Sequence, residues 1–129
     1  MLPVRLIHQP ARSKLCGHCV IAMAAGVPLR RVIEIVGHEH SISTKEMVVT
    51  LRKLGVRVPR PRLVRLGKRK ASIRHTPRRC VLLMKLENAT HIWGHYVLRW
   101  DGLDYDPSDY GWIYWSGMNP RLTSYLEIG

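Results

Sequence analysis

Four positions carry side chains that together could transfer an acyl group: Gln9, Cys16, His95 and Asp106. Cys16-Gly17 stands where a helix should begin. A helix N-terminus offers free backbone N–H groups and partial positive charge, and both favour a thiolate, the reactive form of cysteine. His95 stands at the head of a strand, where a neutral imidazole could take the thiol proton and later hand it to a leaving amine. Asp106 falls on the returning strand of a tight hairpin and could orient that imidazole and stabilise its protonated form. Gln9, on an extended segment before the helix, could donate to an oxyanion beside the Cys16 N–H. His91 is the competing base; Asp109, and more weakly Asp104, are the reserve carboxylates, while Asp101 is expected only to make the turn.

The elements that must position these residues follow from punctuation and periodicity. Residues 16–27 read as an Ala-rich helix with Cys16, Val20, Met23 and Val27 on one stripe. Pro28 can open a second helix over 29–36, stopped by Gly37. Ser43-Thr44-Lys45-Glu46 has the form of a capping box ahead of a third helix over 45–54, ended by Gly55. Strands are expected at 56–58, 63–66, 80–86, 95–101, 103–106, 112–115 and 122–128, with Asp101-Gly102 as a hairpin turn. Helices first and antiparallel strands afterwards make the chain α+β with segregated layers.

At Gln9, at the run Cys16-Gly17-His18-Cys19-Val20-Ile21-Ala22-Met23, at His95-Tyr96-Val97-Leu98 and at Tyr105-Asp106-Pro107, the chain resembles the C39-like branch of papain-like cysteine peptidases. The segments through Gly37 and from Ser43 to Gly55 are similar to small bacterial and phage-borne members. The resemblance implies one papain-like domain over residues 1–129, with a basic insert at about 57–79. It implies a cysteine peptidase in which Cys16 is the nucleophile, Gln9 serves the oxyanion hole, and His95 and Asp106 complete the triad. The substrate would be a peptide or protein, with no cofactor and no metal. Deamidase or acyltransferase chemistry would use the same groups. The Gln-to-Cys gap is one residue longer than the family pattern, and the chain leaves few loops for an extended substrate groove.

The remaining cysteines admit other readings. Cys16 and Cys19 also form a Cys-x-x-Cys redox motif, but the later order is not that of a βαβ oxidoreductase. A zinc site could use Cys16 and Cys19 with His18, His38, His40 or Cys80, although a second close pair at finger spacing is missing. Cys19 is expected in the core, and His38 and His40 in a solvated loop.

Composition bounds the class. The chain has 129 residues, 46% of them hydrophobic, with no Phe, so Leu, Val, Ile, Trp and Tyr must fill one core. An odd number of cysteines, three, is a poor disulfide framework and suits a reducing compartment. No N-terminal signal-peptide pattern and no membrane-spanning apolar run is visible, so a cytoplasmic location is expected. Lys and Arg number 21 against 9 acids, a formal +12. From Arg57 to Arg79 there is no acidic residue. Arg57, Arg60, Arg62, Lys68, Arg69 and Lys70 are candidates to dock an acidic protein or nucleic acid, through phosphates rather than base stacking. Trp93 and Trp112 could wall a substrate cleft. The rival to the enzyme is therefore a basic adaptor on a papain-like scaffold with an unused triad.

Overall fold

The computed structural model describes residues 4–10, 13–67, 75–87, 92–108 and 119–129. Helices α1 (Cys16–Ala25), α2 (Leu29–Val36) and α3 (Thr44–Lys53) come first. Strands β1 (Val64–Arg65), β2 (Cys80–Glu87), β3 (Ile92–Trp100), β4 (Leu103–Tyr105) and β5 (Asn119–Glu127) follow. They form one antiparallel sheet in the order β1-β5-β2-β3-β4. The class is α+β, with helices packed on the sheet.

Local chemistry sets the helix ends. Gly26 and Gly37 take φ of 70° and 85°, and each donates its N–H back into the helix it ends. This stops α1 short of Val27. The capping box forms as the sequence signature predicts: Ser43 Oγ accepts from the Glu46 N–H at 3.1 Å, and Glu46 Oε1 accepts from the Ser43 N–H at 3.1 Å. α1 departs from the single-stripe expectation. Every residue from Gly17 to Met23 is buried, so this helix is surrounded rather than amphipathic.

The main core lies between the helices and one sheet face. Val20 and Ile21 of α1, Val32 of α2 and Leu51 of α3 meet Val81, Leu98 and Leu126 of the sheet. Such fully buried aliphatics contribute roughly 1.5–3 kcal/mol each. Cys80, Leu82, Val97 and Leu122 form a smaller cluster. Cys80, Leu82 and Val97 alternate with the main-core residues of their strands, as the pleat requires. Leu122 follows a β5 bulge: Ser124 pairs with Leu83 but Leu122 with Met84, so Thr123 is the extra residue and the alternation flips there.

One expected strand does not form. Residues 56–58 are irregular because α3 and the C-terminus satisfy their backbone instead, the Arg57 carbonyl accepting from the Gly129 N–H at 2.8 Å. The Val56 N–H donates to Leu51 O at 2.9 Å, and Arg52 Nη2 donates to Val58 O at 2.7 Å. Val56 and Val58 still bury their side chains in the helical core, which accounts for their alternation with Arg57. The strand expected at 112–115 lies outside the described residues. Among the described residues, no helix is long and apolar enough to cross a membrane.

Candidate active site

Cys16 is the first residue of α1 and is half-buried. The residue before it, Leu15, provides no side-chain cap, and the first helical bond runs from the Cys19 N–H to Leu15 O at 2.9 Å. The earlier N–H groups of the turn are left without intrahelical partners. Gly17 permits this placement. A Cβ there would lie 2.6 Å from Ile42 Cγ1 and 3.2 Å from Tyr96 Cδ2, so only glycine lets the first turn press against β3.

The β3–β4 hairpin supplies the other two groups. Its turn has φ of 53° at Asp101 and 83° at Gly102. Two consecutive positive values are the signature of the type I′ turn that Asp-Gly favours. The register pairs Leu98 with Tyr105, which carries Asp106 back beside the strand that bears His95. His95 Nε2 donates to Asp106 Oδ1 at 2.8 Å. The same oxygen accepts the Ser108 N–H at 2.9 Å, an Asx turn that holds the carboxylate. The Cys16 side chain hydrogen-bonds the imidazole as well. Because Nε2 is committed to Asp106, Nδ1 is the nitrogen left for sulfur. Cys16, His95 and Asp106 are thus one connected chain of side chains.

Burial opposes charge on His95, whose side chain is only 8% exposed. The Asp106 carboxylate and the Cys16 sulfur outweigh that burial and raise the imidazole to about 9. Burial pushes Cys19 up to about 12, with a smaller contribution from Cys16 beside it, and burial likewise pushes Cys80 up to about 12. All three cysteines are free thiols, and the two buried ones are poor nucleophiles at neutral pH. That is unfavourable for a Cys16/Cys19 redox pair.

Gln9 reaches the site by its backbone: its N–H donates to Pro107 O at 2.7 Å, next to Asp106. Its side chain is otherwise engaged, with Nε2 donating to Ser13 O at 3.0 Å and Oε1 buried without a partner. One amide hydrogen remains for an oxyanion. Asp101 and Asp104 are drawn off by arginines: Arg79 Nε donates to Asp101 at 2.7 Å, and Arg99 Nη2 to Asp104 at 3.0 Å. His91, Asp109 and Trp112 lie outside the described residues, and Trp93 stands in β3 opposite Leu86.

The sequence reading undervalued His18. It is fully buried in α1, its Nε2 donates to His38 O at 2.9 Å, and its Nδ1 has no partner. Burial lowers its pKa, so it stays neutral. His38 and His40 lie in the loop between α2 and α3 as expected, His40 exposed and the His38 side chain 30% exposed, but His38 is anchored: its Nε2 meets Glu46 Oε2 at 2.6 Å, and its Nδ1 accepts from the His40 N–H at 3.1 Å. The loop is therefore tied to the capping box of α3. The signal was available in the apolar continuity of 19–25, which marks a helix buried on every side and a histidine buried with it. Among the described residues, no three His, Cys, Asp or Glu side chains converge as metal ligands.

Arg57, Arg60 and Arg62 are exposed on the segment between α3 and β1, and Lys68, Arg69 and Lys70 lie outside the described residues. Comparison with known proteins returns no family model, no curated protein and no solved structure that matches this chain, so a functional reading rests on the geometry of the site.

Proposed function

We propose that the protein is a papain-like cysteine hydrolase that cleaves peptide or isopeptide bonds through a thioester on Cys16. The observation that carries this reading is the connected Cys16–His95–Asp106 chain, with the thiol at the open N-terminus of a buried helix. A helix bearing the thiol, set against an antiparallel sheet bearing histidine and aspartate, is the arrangement that the resemblance to C39-like peptidases implies.

In this reading the Cys16 sulfur attacks the carbonyl carbon. Free N–H groups of the α1 first turn would serve the developing oxyanion, with the Gln9 amide hydrogen that Ser13 O does not hold as a second donor. The tetrahedral adduct collapses, the C–N bond breaks, and the His95 proton goes to the leaving amine. Water then attacks the thioester while His95 takes its proton, and an acid and the free thiol are released. Asp106 keeps the imidazole oriented and its positive form stable throughout. Three unpaired cysteines suit a reducing compartment, and we assign the cytoplasm.

Iodoacetamide labelling of the native protein at neutral pH, read by mass spectrometry, tests the activated thiol. Cys16 should be labelled at least tenfold faster than Cys19 or Cys80, and His95→Ala should slow it. Equal labelling of the three, or an unreactive Cys16, would sink the reading and favour the basic adaptor, to which exposed Arg57, Arg60 and Arg62 already give some support.

A further inference from the structure

The outer face of α3 and the segment leading into β1 enclose a groove of about 510 Å³. That volume lies within the range of specific ligand clefts. One wall is a stripe of α3: Lys45, Val49 and Arg52 are spaced by four and three residues and so share a face. The other wall is Arg62, Leu63 and Arg65, in and just before β1, which among the described residues pairs with β5 alone and so edges the sheet. Val49 is 45% exposed, an aliphatic side chain left open at the middle of its stripe. Among the described residues, no carboxylate lines the groove. Arg52 is committed to the Val58 carbonyl, while Lys45, Arg62 and Arg65 enter no ion pair among the described residues.

The arrangement combines an aliphatic floor with a ring of cations. Like charges held together repel, and an anionic partner would relieve that repulsion. Phosphates alone would leave Val49 and Leu63 without a use. Among the described residues, no aromatic side chain lines the groove for a nucleobase to stack on. An extended peptide does fit, because alternate side chains project to one side and the next ones to the other. We propose that this groove binds an acidic, extended protein segment, seating an aliphatic side chain on Val49 and Leu63 between carboxylates held by Lys45, Arg62 and Arg65. None of Cys16, His95 or Asp106 lines it, so the proposal stands apart from the hydrolase reading.

Fluorescence anisotropy at low salt tests it, with a labelled short peptide of alternating Glu and Leu as probe. An all-Glu peptide, a Gln/Leu peptide and an oligothymidylate of matched length are the comparisons. The Glu/Leu peptide should bind tightest, and its affinity should fall as salt rises. Lys45→Glu with Arg65→Glu should weaken it by about tenfold or more, about 1.4 kcal/mol. Both positions are exposed, and an acid near the start of α3 suits the helix dipole, so the fold should persist, as circular dichroism can check. Val49→Ser should weaken the Glu/Leu peptide several-fold and leave the all-Glu peptide unchanged. Arg57→Glu with Arg60→Glu, outside the groove, should have less effect than the Lys45/Arg65 pair. The proposal is overturned if the all-Glu peptide or the oligonucleotide binds as tightly as the Glu/Leu peptide. It is equally overturned if the Arg57/Arg60 variant loses as much affinity as the Lys45/Arg65 variant, or if no peptide binds.

Discussion

His95 is held between two groups that both favour its proton. Burial alone would make it a weaker base than free histidine, yet Asp106 and Cys16 together raise it to about 9. In the proposed hydrolysis a leaving amine needs that proton, so turnover should decline as pH rises through about 9. Asp106→Asn keeps an oxygen to accept from Nε2 but removes the charge. The ring resonances of His95, followed by NMR, should then titrate at distinctly lower pH than in the parent protein. The same midpoint in both proteins would show that the carboxylate does not set the proton affinity of the imidazole. Cys19 and Cys80 illustrate the opposite outcome: burial dominates at both, outweighing even Thr76 and Arg99 beside Cys80, and leaves their thiols protonated and inert.

At the scale of the element, α1 works by closeness. Its first turn meets Ile42, in the loop before α3, and Tyr96, the residue after His95. A methyl group on Gly17 would collide with Ile42 Cγ1 at 2.6 Å, and Ile42 is only 5% exposed, so it has little room to yield. Gly17→Ala should gain some helix propensity and lose more to overpacking, a net destabilisation of about 1–3 kcal/mol. It should also slow iodoacetamide labelling of Cys16 as the turn backs away from β3. Thermal melting and the labelling rate check the two effects separately. A variant with unchanged melting and unchanged labelling would show that the close approach is not required. The neighbouring loop is held by His38 on Glu46, whose carboxylate also completes the α3 capping box.

For the whole molecule, two buried histidines should shape the dependence of stability on pH. The proton affinity of His95 is raised on folding, so its contribution is complete below its ordinary value of 6.5 and is lost as pH climbs to about 9. The integrated loss is up to about 3 kcal/mol. The affinity of His18 is lowered by burial, so its contribution is present above 6.5 and is lost as pH falls below that value. The melting temperature should therefore peak near neutral to slightly acid pH. His95→Gln should flatten the limb between 6.5 and 9, and His18→Asn the limb on the acid side. Above pH 9 a further decline is expected from Cys19 and Cys80, whose thiols ionise more easily in the unfolded chain. A melting curve flat from pH 5 to 9 would contradict both assignments.

The order of elements was legible in the sequence because local signals set it: the Ser43/Glu46 capping box, Gly37 and the Asp101-Gly102 turn each act within a few residues, whereas the stop at Gly26 was passed over. Cys16, His95 and Asp106 could be named as candidates as well, since their residue types and their places at a helix start and along a hairpin can be read along the chain. Tertiary structure decided what depends on distant partners. Residues 56–58 alternate like a strand, yet α3 and Gly129 take their hydrogen bonds. Gln9 offers an amide, but the Ser13 carbonyl holds it. His18 and His38 join a network across residues far apart in the chain, and the cations that line the α3 groove come from α3 as well as from the basic segment. Periodicity and punctuation are properties of neighbours in sequence, whereas hydrogen-bond partners, desolvation and grooves depend on neighbours in space. Only the folded chain determines the latter.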